Sequence, residues 1–206
     1  MLTLYIVPTG ETEFSPKGEL LGINNPPLSL DGLKHAEKIG EILRPIVLEA
    51  VISGPLKREF VTARVIATPH NLPVRTDRNL RDTNYGSWSG KNFSALNQEE
   101  PKLMNKLKKS PQRFKFPSGE KVKRGWRRVS EFTYLFKLNY GTGNVVIIAD
   151  DFISIMLMSQ LTRTPFLDLE PWISSEGQMS VLKLEQGNWT IESLRGVQKT
   201  SMIISS

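Results

Sequence analysis

An α/β fold with a mainly parallel sheet is what this 206-residue chain predicts, and three observations carry that reading. Leu2–Val7 is a short, mostly apolar run that stops at Pro8-Thr9-Gly10. Val145–Ala149 is a second apolar run, rich in β-branched residues, with the look of a central strand buried on both faces. Between them, short strand-like runs alternate with helical patterns, which is the order of a layered α/β domain.

The elements follow in order. After the first strand, Asn24-Asn25-Pro26-Pro27 interrupts regular structure. Ser29 and Asp31 then precede a helix in which Leu33, Ala36, Ile39, Ile42 and Leu43 recur at helical spacing, with Lys34, Glu37, Lys38 and Glu41 on other faces; Pro45 ends it. Ala50–Ser53 reads as a short strand, Gly54-Pro55 as a turn, and Lys57–Ala67 as a helix with Phe60, Ala63 and Ala67 on one side. Asn71–Arg75 returns as a strand. The stretch 92–139 is helical and highly charged, broken at Phe116-Pro117-Ser118-Gly119. Asp150-Asp151 opens a helix through Leu161, and strands near Ser180–Leu184 and Trp189–Ser193 close the chain around Gly187. Ligands in open α/β sheets bind at the carboxyl ends of the strands. Those ends are Pro8-Thr9-Gly10, Ser53-Gly54-Pro55 and Asp150-Asp151, and they are expected to converge on one pocket.

Composition narrows the chemistry. The chain has no cysteine, so disulfides, thiol catalysis and thiolate metal sites are excluded. No basic leader precedes a long apolar stretch, and Phe152–Leu161 is broken by Ser154, Ser159 and Gln160 and too short to span a bilayer. A cytoplasmic protein without a membrane partner is expected. Net charge is +6, but eleven bases and one acid, Glu120, fall within 102–128; that segment carries +10 and the remainder −4. A solvated face is one reading of this basic segment. A docking site for an acidic protein or polyanionic ligand is the other. Arg124, Arg127 and Arg128 are spaced to share one helical face and are the candidate partner-binding residues. Neither zinc-finger spacing nor an RNA-binding aromatic signature is present, which argues against nucleic acid. Asp150-Asp151 could attract a hard cation, but adjacent acids at a helix start more often serve its cap and dipole, so neither metal nor other cofactor is expected.

Six motifs then occur in one order: GETEFS after the first strand, PLSLDG at 27–32, SGPLKREFVTA at 53–63, LRDTNYGSWSG at 80–90, FPSGE at 116–120 and VVIIADD at 145–151. Together they resemble the histidine phosphatase superfamily, the phosphoglycerate mutase-like proteins, over nearly the whole chain. The resemblance implies a single domain over 1–206, a three-layer α/β/α sandwich with a basic helical cap at about 92–139. It also implies a site. The family's Arg-His-Gly motif, whose histidine is phosphorylated during turnover, falls on Pro8-Thr9-Gly10. Its second histidine motif, Ser-His-Gly, falls on Ala149-Asp150-Asp151. The arginine of Pro-Leu-x-Arg matches Arg58, the acidic proton donor falls on Asp82, and a ligand-contacting asparagine falls on Ser15. Gly10, Ser15 and Arg58 are thus the candidate ligand contacts, while Pro8, Thr9, Asp82, Asp150 and Asp151 stand at altered catalytic positions.

These replacements change the chemistry. An imidazole can attack phosphorus and leave again near neutral pH, whereas a threonine hydroxyl needs a base, which Asp82 or Asp150 would have to supply. Pro8 offers no donor where arginine offers five. With Arg58 against Asp82, Asp150 and Asp151, the pocket nets −2 when all are ionised. Phosphoryl transfer needs positive groups around the phosphate oxygens, and each like-charge contact at ~4 Å costs roughly 1–4 kcal/mol. The expected function is a non-catalytic protein kept for binding or regulation; the alternative is a phosphatase or mutase of a phosphorylated small molecule with a remodelled site. Arg58 is expected to pair with the facing acids. Trp88 and Trp126 are expected to pack, and His35 and His70 to lie on the surface.

Overall fold

The computed structural model describes residues 1–13, 18–165 and 179–194. Strand β1 (Leu2–Val7) leads through a loop to helix α1 (Leu30–Leu43), whose N-cap Ser29 accepts the Gly32 N–H at 3.0 Å. Strand β2 (Ala50–Ser53) feeds helix α2 (Lys57–Ala67), and β3 (Val74–Thr76) follows a 3₁₀ turn at Thr68–His70. Helices α3 (Phe93–Glu99), α4 (Pro101–Lys109) and α5 (Val122–Asn139) come next. Strand β4 (Gly143–Ile148), helix α6 (Asp151–Thr162) and the hairpin β5 (Ser180–Glu185) and β6 (Asn188–Leu194) complete the described chain.

The sheet order is β3-β2-β4-β1-β5-β6. The first four strands are parallel, and β5 and β6 run antiparallel to them. Alternation along the strands sends side chains to two cores. Leu2, Leu4, Ile6, Val145 and Ile147 pack with α5 and α6, whereas Val7, Val51, Val146 and Ile148 pack with Ile39 and Leu43 of α1 and Ala63 and Ile66 of α2. Helices therefore cover both faces, giving the expected three-layer sandwich. Among the described residues no helix is long and apolar enough to cross a membrane.

Helix α5 buries Val129, Phe132 and Phe136 in the same core as the sheet residues, and α3 and α4 add Leu96, Met104 and Leu107 to it. Two local readings need correction. On α2 the buried face runs through Arg58, Glu59, Thr62, Ala63 and Ile66, and Phe60, one position off that face, is exposed. Ile42 is likewise exposed on α1.

Candidate functional site

The three parallel strand ends meet. Thr9, just after β1, donates its hydroxyl to Asp150 Oδ1 at 2.8 Å, joining the β1 exit to the β4 exit. Asp150 sits at the N-cap position of α6, yet its side chain makes no cap bond. It faces Arg58 instead. Arg58, in the first turn of α2, meets it side-on: Nε donates to Oδ1 at 3.2 Å and Nη2 to Oδ2 at 2.8 Å. Nη2 also reaches Asp82 Oδ2 at 3.1 Å and the Gly22 carbonyl at 2.8 Å, and Nη1 donates to the Asn24 carbonyl at 2.6 Å. Every guanidinium nitrogen is therefore engaged within the protein, and the side chain is 0% exposed.

Burial sets the electrostatics. It opposes the Arg58 charge, but Asp150 and then Asp82 more than offset it, so the guanidinium pKa ends above its ordinary value. Asp82 is almost fully enclosed; desolvation first, and Asp150 second, raise its carboxyl well above the usual range despite Arg58 and the Thr83 N–H at 2.6 Å. Glu59, the next residue on α2, is raised to about 9 by burial and then by the Asp150 charge. Asp151 meets solvent, but protein crowds it closely, and this together with the neighbouring Asp150 raises it to about 7. Asp150, Asp82 and Glu59 thus share one arginine, and Asp82, Glu59 and Asp151 hold protons more tightly than a free carboxylate does. No group of three or more such side chains among the described residues has metal-holding geometry.

The sequence model of the histidine phosphatase superfamily (branch 1) matches residues 4–196. The chain belongs to this superfamily. Phosphoserine phosphatase 1 of Hydrogenobacter thermophilus is 28% identical over 149 residues, covering 72% of this chain and 71% of that protein. A Salmonella arizonae protein named "Probable phosphoglycerate mutase GpmB" is 29% identical over 129 residues, 63% of this chain and 60% of the relative's length. The crystal structure of the alpha-ribazole phosphatase from Shigella flexneri superposes with a TM-score of 0.78 at 22% identity, over 96% of this chain and all of that one, and speaks to the fold.

Within this histidine phosphatase fold, the residues read from sequence fall into three groups. Thr9, Arg58, Asp82 and Asp150 come together as one bonded cluster, with Asp151 beside them at the start of α6. Pro8 and Gly10 flank Thr9, and Gly10 has a packing role: a Cβ there would overlap the Gly32 backbone, so the loop can approach α1 closely. Ser15 lies outside the described residues. His70 follows α2 at the far end from Arg58, roughly 18 Å along the axis at 1.5 Å per residue. His35 lies on α1, and both histidines are half-buried, not surface residues as expected.

Arg128 is a correction. It is 14% exposed, donating to the carbonyls of Asn79 at 3.0 Å and Arg81 at 2.8 Å and to Glu120 at 3.1 Å. The three-and-four spacing placed it with Arg124 and Arg127, but 128 turns toward the loop before Asp82, and those two remain exposed without it. Burial lowers its pKa, with Glu120 opposing. Trp88 is buried, with Nε1 donating to Glu100 at 3.0 Å, and Trp126 packs partly against the core. Sequence reasoning missed Glu59. Its place three residues into a helix hints at capping, but its proximity to Asp150 depends on the tertiary fold.

Proposed function

We propose that this chain is a non-catalytic member of the histidine phosphatase superfamily whose function is binding. One observation carries the reading: the donors that would grip a phosphate are spent on an internal anion. Asp150 takes the Thr9 hydroxyl and the side-on face of Arg58, so its carboxylate stands where a phosphate oxygen pair would. A dianionic phosphate would have to displace a paired carboxylate and then sit beside Asp82 and Asp151. Such an exchange is resisted, because the displaced Asp150 loses its cation while the phosphate meets two further carboxyls. The family's nucleophile is also missing, because a threonine hydroxyl stands where the resemblance places the histidine.

The names of the relatives favour a second reading, a phosphatase or mutase acting on a phosphorylated small molecule. There, Asp150 would serve as base to Thr9 across their hydrogen bond and Asp82 as the acid. A phosphothreonine ester would then have to be hydrolysed, a harder step than release from a phosphohistidine. Aryl phosphate and phosphoglycerate assays separate the two. Wild-type protein should give no turnover above the Arg58→Ala variant; turnover that disappears in that variant would establish the enzyme.

With the pocket closed, the basic surface is the binding face that fits best. Lys102, Lys106, Lys109, Arg113, Lys115, Lys121, Lys123, Arg124 and Arg127 are exposed, and Lys115 and Lys121 oppose each other across a β-bridge. Like charges held cross-strand repel, and an acidic protein or polyanionic ligand would relieve that repulsion.

A further inference from the structure

Glu59 has no role in the chemistry of the family's phosphate pocket as the resemblance transfers it, yet its side chain is completely enclosed. Its Oε2 accepts the Leu56 N–H at 2.7 Å, fixing the carboxyl at the N-terminus of α2. Its Oε1 is buried and has no donor. Space for the group exists because residue 54 is glycine: a Cβ there would overlap the Glu59 carboxyl. From the β4–α6 junction Asp150 acts on it by its charge and by a side-chain hydrogen bond, both of which favour the protonated Glu59 carboxyl. Arg58 stands beside it on α2, Asp82 reaches the same guanidinium from the loop before α3, and Asp151 follows Asp150.

Two neighbouring carboxyl groups in a largely enclosed place resist double ionisation, which favours one proton between them. Asp150 is the acceptor of the two, because the Thr9 hydroxyl and two Arg58 nitrogens already donate to it. We propose that Glu59 is a neutral carboxylic acid whose Oε1–H donates to Asp150, making it the positioning residue that completes the ring of donors around Asp150 and keeps Arg58 closed. The unpartnered oxygen then becomes a satisfied donor, and Gly54 is required as its seat. Release of the proton to solvent sets two buried charges face to face. Asp150, whose side chain is 15% exposed, is the one able to move toward the cleft mouth.

The sign of the pH effect follows. Glu59 holds its proton to about 9 when folded, far above an unfolded glutamate. The folded state binds that proton more tightly, so the group's contribution is full in acid and is lost as pH rises from about 4 toward 9. Carbon-13 carboxyl NMR of glutamate-labelled protein, with the Glu59 signal assigned by its loss in Glu59→Gln, measures the proton directly. The signal should titrate near 9, and Asp150→Asn should lower the midpoint by about one unit or more. Glu59→Gln supplies an amide donor at every pH, so the wild-type melting temperature should fall relative to it between pH 6 and pH 9. Glu59→Ala and Gly54→Ala should lack that rescue. A Glu59 signal titrating in the ordinary carboxylate range, a midpoint unmoved by Asp150→Asn, or parallel melting profiles for wild type and Glu59→Gln would overturn the assignment. Should Asp150→Asn fail to fold, the wild-type titration and the Glu59→Gln melts still decide it. Phosphatase turnover by the wild type would contradict the non-catalytic reading while leaving this proton in place, so the two outcomes are distinct.

Discussion

Arg58 shows at the level of one residue what an enclosed cation demands of its surroundings. A fully enclosed guanidinium needs partners for all its donors, and it finds two carboxylates and two carbonyls. Its removal leaves Asp82 and Asp150 facing each other without a cation. Arg58→Ala should therefore destabilise the protein by about 3–5 kcal/mol at neutral pH, read by denaturant or thermal unfolding. The penalty should shrink in acid, where the orphaned carboxyls take up protons. A neutral-pH melt matching wild type would mean the cluster is solvated. The pairing was legible through the family resemblance, which set Arg58 against Asp82, Asp150 and Asp151. Glu59 was not legible, since helical position alone does not say which face is buried next to which acid.

Helix α5 shows what an element adds to that reading. Its first seven residues carry four bases that look alike along the sequence, yet the helix sorts them by direction. Arg124 and Arg127 face solvent, whereas Arg128 binds two carbonyls and Glu120 and ties the helix to the loop that presents Asp82. Arg128→Ala should cost about 2–3 kcal/mol, the loss of hydrogen bonds to charged groups that leaves Glu120 partly uncompensated. Arg124→Ala and Arg127→Ala should stay within about 0.5 kcal/mol of wild type. Comparable losses in all three melts would refute this division. The strands, by contrast, were readable nearly to their ends, except β3, where the expected Asn71–Arg75 shrinks to Val74–Thr76 because Asn71 is left-handed after a 3₁₀ turn. Short apolar runs bounded by Pro, Gly and Asp leave little freedom of register, and β4 lies between β2 and β1 as a central strand should.

The whole molecule is electrically polarised, with +10 over 102–128 against −4 elsewhere. Such a field reaches about 8 Å at physiological salt, far enough to steer an acidic partner and short enough for added salt to abolish it. Wild-type protein should bind a heparin column and elute with moderate salt, and reversing Arg124 and Arg127 together with Lys121 and Lys123 should abolish retention without lowering the melting temperature. Unchanged retention would assign those bases to solubility alone. Polarity and closure of the pocket are joined in one claim, that this fold has exchanged a phosphate for its own carboxylate. Calorimetric titration of inorganic phosphate into wild-type protein tests that claim most directly. No binding at millimolar phosphate is the predicted result, with no difference between wild type and Arg58→Ala; saturable binding that vanishes on removing Arg58 would contradict it.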